Sequence, residues 1–234
     1  MSDVPVIAVD GPSGSGKGVV ASYLATQYEF HLLDSGALYR LVGVAARDAG
    51  IALENDPLPE EQLGKIVVGL DVVFTPTNNP EDPLSIVLSG QEVAPRVRTD
   101  EAGVDASRVA AVPAVRDGLM KLQHSFRQPP GLVADGRDMG TVVFPDALVK
   151  IYLTASAEAR AERRYNQLKH KDIGVSLAAL FQSIQARDER DMSREASPLR
   201  PADDALVVDS TDMTIEEVLE SVQAFVSQKL NVSD

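Results

Sequence analysis

The stretch Gly11–Val20, GPSGSGKGVV, follows a short apolar, β-rich run at Val4–Val9. From Lys17 to Tyr28 the pattern becomes helical, with Val20, Leu24 and Tyr28 on one face. Strand, glycine-rich turn and helix are the setting of the phosphate loop G-x-x-x-x-G-K-[ST]. Gly11, Gly16 and Lys17 fit that pattern. Glycines at 11, 14 and 16 let the backbone turn tightly and aim N–H groups inward, and the helix N-terminus adds a dipole that favours anions. Lys17 is expected to reach the β- and γ-phosphates as a point charge. Gly18 stands where a hydroxyl that ligates Mg2+ is usual. Magnesium is then expected mainly on phosphate oxygens and water, which suits a cation that dehydrates reluctantly. Switch GTPases hold Mg2+ through that hydroxyl, and no N-K-x-D guanine-reading motif is found. Both points favour a small-molecule kinase, in which two phosphorylated substrates help to hold the ion.

Working outward, Phe30–Leu33 reads as a second strand, and Ala37–Ala49 as a helix. Residues 51–99 are broken by Pro57, Pro59, Pro76, Pro80, Pro83 and Pro95. They read as an inserted subdomain with a helix at Glu60–Leu70 and a small sheet from "DVVF" and "SIVL", separated by "TPTNNPEDP". Helices are expected at Glu101–Ala111 and Val115–Phe126. Leu132–Ala134 reads as a strand entering the polar loop of "GLVADGRDMG", and Ala147–Leu153 as another strand. Helices follow at Ala157–Lys169 and Leu177–Asp191, then the strand "ALVVD". Thr214, with Glu217 three residues on, forms a capping box before a closing helix. Strands alternating with helices imply a parallel sheet with both faces covered.

The 234 residues suffice for a sizeable core, and 44% are hydrophobic. There is no cysteine, which excludes disulfides and thiolate metal sites. No apolar run approaches the ~18 residues a spanning helix needs. The start, Met1-Ser-Asp-Val-Pro, lacks a basic segment and apolar core, so a cytoplasmic protein is expected. A net charge of −13 argues against nucleic acid and acidic membranes as partners. Glu158–Arg194 departs from that balance, with eight Lys/Arg against six Asp/Glu. Such an island either serves a small anionic ligand or is an exposed helix laced with ion pairs.

Four segments together, "GPSGSGKG", "LDSGALYR", "ADGRDMGTVVFPDA" and "RDERDMSREASPL", resemble the bacterial cytidylate kinases of the nucleoside monophosphate kinase family. The resemblance spans nearly the whole chain, in order, and departs at Val19, where members often carry Thr. It implies an α/β fold: a P-loop NTPase-type parallel sheet flanked by helices, with an NMP-binding insert and a short lid near 156–175. The implied domains are a P-loop core (1–34, 100–155 and 195–234), an insert at 35–99, and lid and acceptor-contacting helices at 156–194. The implied activity transfers the γ-phosphoryl of ATP to CMP or dCMP with Mg2+, in pyrimidine nucleotide metabolism, by a monomer.

By the same resemblance, Gly11, Pro12, Ser13, Gly14, Ser15, Gly16, Lys17, Gly18 and Val19 form the ATP loop. Arg40, Arg137 and Arg194 would bind the acceptor phosphate, with Ser35 adding a hydrogen bond. Arginine's planar five-donor fork suits that task. Asp138 would accept from cytosine N4, Arg116 donate to N3 and O2, and Ser107 assist. Arg187 and Asp191, four apart on a predicted helix, would contact the sugar, and could also pair with each other. Lys17, Arg137 and Arg194 are the expected catalytic cations, together with Arg160 and Arg164. At least one arginine of the cluster Arg160, Arg163 and Arg164 is expected at the transferring phosphoryl. Asp135 is either an orienter of magnesium's waters or a polar turn residue. Two rivals stand beside this reading. One is another P-loop kinase acting on AMP, UMP, shikimate or dephospho-coenzyme A; the other is an ATP-binding switch without transferase activity.

Overall fold

A computed structural model describes residues 4–79, 82–169 and 176–231. Residues 1–3 of the expected non-secretory start and residues 170–175 of the expected lid lie outside the described residues. The elements in order are β1 (Val6–Asp10), α1 (Lys17–Tyr28), β2 (His31–Asp34), α2 (Ser35–Asp48), α3 (Glu60–Val68), β3 (Val72–Asn79), β4 (Asp82–Leu88), β5 (Gln91–Glu92), α4 (Ala94–Val97), α5 (Asp100–Val109) and α6 (Pro113–Ser125). Then come β6 (Leu132–Gly136), a π-helical turn (Met139–Val143), β7 (Val149–Thr154), α7 (Ala157–Lys169), α8 (Leu177–Ser193), β8 (Leu206–Asp209) and α9 (Ile215–Asn231).

Two compact units result. One joins Met1–Ser35 to Gln123–Asp234, and the other is Gly36–Leu122. In the first, among the described residues, five strands form a parallel sheet in the order β2-β6-β1-β7-β8. It is a parallel sheet flanked by helices, of the P-loop NTPase type. All of β1 is buried, as the unbroken apolar run Val6–Val9 requires of a central parallel strand. One face is closed by Val20, Ala21 and Leu24 of α1 and by Val218, Val222 and Val226 of α9, whose i,i+4 spacing forms a single stripe. Thr214 and Glu217 make both bonds of the capping box at the start of α9. Because the strands are parallel, the C-terminal ends of β1, β6 and β7 lie along one edge, where sheets of this kind bind ligands.

The second unit contains the antiparallel sheet β3-β4-β5. β3 and β4 run on through most of the segment read as a separator. Proline is tolerated there because β3 is an edge strand, and β4 at Pro83 has a neighbour on one side only: β5 pairs solely with Val87 and Leu88. This unit reaches Leu122 rather than ending near 99, because α5 and α6 pack within it. Arg47 of α2 clasps Asp105 of α5 through two bonds, at 2.5 and 2.9 Å. At Gly64 of α3, a Cβ would stand 3.3 Å from Ala114 of α6.

Candidate active site

The loop after β1 turns on glycines with positive φ at 11, 14 and 16. Gly16 (φ 97°) caps α1 without a side-chain hydrogen bond, and the first helical turn carries no acidic residue. The positive end of the helix is thus not neutralised by its own sequence, a ready anion site. Ser15 is buried and donates to Pro12 O at 3.1 Å. Val19 turns its side chain to solvent, and its N–H donates to Gly16 O at 3.0 Å.

Lys17 lies inside this loop, nearly buried. Its Nζ donates to Pro12 O at 3.0 Å and stands 3.8 Å from Asp135 Oδ1. Burial first, then the cations Arg137 and Arg187, pull the ammonium below the ordinary lysine range, against the opposing pull of Asp135. Burial pushes Asp135 upward, with Lys17 opposing. Asp135 is a residue of β6 and not of a turn, paired in register with Val9. Its Oδ2 is 3.7 Å from where a Cβ on residue 18 would be. Gly18 therefore leaves space directly beside a carboxylate. Among the described residues no three His, Asp or Glu side chains gather to hold a metal. Asp135, beside the open position 18, is able to accept from the waters of a Mg2+ that arrives with phosphates.

A second cluster follows from β6 and α8. Arg137 Nε donates to Asp191 Oδ2 at 3.1 Å, and Arg194 Nε donates to Asp191 O at 3.3 Å. Arg194 and Asp191 are buried. Asp191 thus gathers two cations from different elements, while Arg187 Nη1 donates to Ser13 Oγ at 3.0 Å, reaching the phosphate loop. Asp138 is buried at the start of the π-helical turn. Gly136 allows the approach of Ser35: a Cβ at 136 would lie 2.9 Å from Ser35 Oγ.

The cytidylate kinase family profile matches residues 7–228. The chain belongs to the cytidylate kinase family. Curated relatives named cytidylate kinase include one from Pseudomonas paraeruginosa, 54% identical over 219 residues, which cover 94% of this chain and 93% of the relative. Another, from Shewanella sp. strain MR-7, is 49% identical over 230 residues, covering 98% of each chain. The crystal structure of TT1252 from Thermus thermophilus aligns over 97% of this chain and 98% of its own, at 20% identity and a TM-score of 0.44.

Cytidylate kinases are phosphotransferases, and this member carries its remaining expected residues in the second unit. Arg40 of α2 donates to Val97 O at 2.8 Å and to Thr99 O at 3.4 Å. Ser107 of α5 and Arg116 of α6 are buried, and Arg116 Nη1 is 3.4 Å from Ala110 O.

The lid arginines differ from one another. Arg160 is buried on α7; its guanidinium grips Asp188 of α8 through both terminal nitrogens and donates to Ser13 O, Ala155 O and Ser156 O. Arg163 donates to Ser210 Oγ and O, and Arg164 is half-buried on the same helix. Asp188 escaped the sequence reading, although it sits inside the quoted "RDERDMSREASPL", because which arginine it holds depends on how α7 and α8 pack. Asp188→Ala leaves a buried guanidinium without its counter-charge, and should destabilise the fold by about 3–5 kcal/mol. Urea unfolding of the variant measures this, and a loss under about 1 kcal/mol would mean the pair behaves as a surface one.

Asp10 was also missed. It ends β1, is 5% exposed, and accepts from Met139 N and Gly140 N, each at 2.8 Å. Burial raises its carboxyl to about 7, against the lowering effect of those two N–H groups. No sequence signal marks it, since an acidic residue at a strand end reads as a turn polar group.

Proposed function

We propose that this family member transfers the γ-phosphoryl of ATP to CMP or dCMP, giving ADP and CDP or dCDP. What carries the reading is the meeting, in one unit, of a phosphate loop and an arginine cluster around the buried Asp191. A protein that only bound ATP has no use for the second cation cluster. Phosphoryl transfer needs two anions in line and their developing charge neutralised, with little covalent chemistry. The 11–19 loop takes the ATP phosphates on its backbone N–H groups and on Lys17. Bound phosphates restore the ammonium that burial disfavours. Mg2+ bound with ATP would supply charge neutralisation at the phosphates, and Asp135 would accept hydrogen bonds from its waters.

The acceptor is a phosphate monoester, largely ionised near neutral pH since its second pKa is about 6, so no general base is needed. Arg137 and Arg194 hold its phosphate, and Arg40 and Ser35 contribute to the same task. Asp138 accepts from cytosine N4, and Arg116 and Ser107 read the ring's acceptor side. Arg187 and Asp191 take the sugar hydroxyls. Arg160 acts as a clamp on the loop, and Arg164 is the lid arginine assigned to the transferred phosphoryl. The protein works as a monomer in the cytoplasm.

Uracil reverses hydrogen-bond polarity at ring positions 3 and 4, leaving buried groups unpaired at about 1–3 kcal/mol each. A coupled assay of ADP formation with ATP·Mg2+ and each nucleoside monophosphate should therefore give kcat/KM for CMP and dCMP about 10- to 100-fold above UMP. Equal values for CMP and UMP would remove the cytosine-reading role of Asp138. ATP binding with no ADP formed would instead favour a nucleotide switch.

A further inference from the structure

We propose that Asp10 is a positioning residue for acceptor specificity, fixing the Asp138 peptide from the strand that launches the phosphate loop. This rests on the reading of Asp138 as the residue facing cytosine. β1 ends at Asp10, and Gly11 opens the loop immediately after. Both carboxylate oxygens are used: Oδ1 accepts from Met139 N and Oδ2 from Gly140 N. The Met139 N–H belongs to the peptide joining Asp138 to Met139. Its orientation therefore sets the ψ of Asp138, which is 23°, with φ at −146°.

Met139 and Gly140 begin a π-helical turn, and the first N–H groups of any helical turn have no partner within it. Asp138 provides no side-chain cap there. Asp10 supplies that cap from a different strand. π-turns are rare and recur at functional sites. Gly140 sits against this carboxylate: a Cβ there would touch Asp10 Oδ2 at 3.4 Å and press on the Lys150 side chain at 3.2 Å. A fully buried carboxylate is costly unless its bonds repay desolvation. Asparagine has nearly the same shape but can accept only one of the two N–H groups, and it turns its own N–H against the other.

The test compares wild type, Asp10→Asn and Gly140→Ala for kcat and KM with CMP, UMP and ATP, alongside thermal unfolding. In Asp10→Asn the CMP-over-UMP ratio of kcat/KM should fall about 10-fold, through a raised KM for CMP. KM for ATP should change less than about twofold. Gly140→Ala puts a methyl group against the same carboxylate and the Lys150 stem without altering the carboxylate's chemistry, and should shift the ratio in the same direction by a smaller factor. A lower melting temperature with an unchanged ratio would make Asp10 a purely structural residue and overturn the proposal. A loss shared equally by CMP and UMP would overturn it as well. Should Asp10→Asn fail to fold, the ratio in Gly140→Ala decides by the same criterion. A wild type that does not phosphorylate CMP removes the functional reading itself; an active wild type with unaltered variants removes only the role of Asp10.

Discussion

Lys17→Met should lower kcat/KM for ATP by about 10²- to 10³-fold, the scale seen when one preorganised charge or donor at a transition state is removed. Methionine keeps much of the stem's length and apolar volume, so the loop retains its packing while the ammonium is lost. The effect should fall mostly on kcat, because charge on the transferring group is largest in the transition state. Nζ already lies within the loop, on Pro12 O, so no large rearrangement precedes its use. The pH dependence has a definite sign. Burial and the neighbouring arginines lower the folded pKa of Lys17, so the free enzyme loses this charge at a lower pH than an ordinary lysine would. kcat/KM for ATP should accordingly fall on the alkaline side, with a limb that is absent in Lys17→Met. Initial rates at varied ATP and saturating CMP across pH measure both. A variant with near wild-type kcat would show that the lysine only fills space.

Gly11→Ala should abolish the fold or destabilise it by more than about 4 kcal/mol, beyond the usual range for a point mutant. Two effects add. The φ of 145° lies where side chains are rarely accommodated. A Cβ there would also lie 1.9 Å from Leu153 O, an impossible contact. Leu153 cannot retreat easily, since it belongs to β7, paired with β1 on one side and β8 on the other. Gly50→Ala is the control: its φ is 76°, yet nothing stands within 4 Å of the added Cβ. It should cost only the strain of the left-handed conformation, about 1–2 kcal/mol. Chemical unfolding of both variants separates backbone strain from collision. If the two cost the same, the close approach of β1 and β7 at this point is not what requires glycine.

Element type was legible wherever local pattern and burial agree. The run Val6–Val9 is apolar at every position and became the central strand. Val218, Val222 and Val226 repeat every four residues and became one buried stripe of α9. The Thr214–Glu217 box needed only its spacing. Legibility failed where the outcome depends on what packs alongside. The separator between β3 and β4 looked unfit for strand because of its prolines, but an edge position makes Pro76 harmless and a half-paired strand does the same for Pro83. The π-helical turn at Met139–Val143 read as a polar loop, because the bonds that hold its first two N–H groups come from Asp10, about 130 residues earlier.

The same division runs through the site. From the order of residues alone come the phosphate loop, the GRD and R-D-x-x-D-x-x-R motifs, and hence the family, because spacing along one chain is local information. Which arginine meets which anion is not local. Arg160, Arg163 and Arg164 are near neighbours on one helix, yet the fold buries the first on Asp188 and ties the second to Ser210. Asp191 accepts from Arg137, which follows β6 and stands 54 residues earlier in the chain. Charge chooses its partner by distance and burial, and only the packed chain sets both.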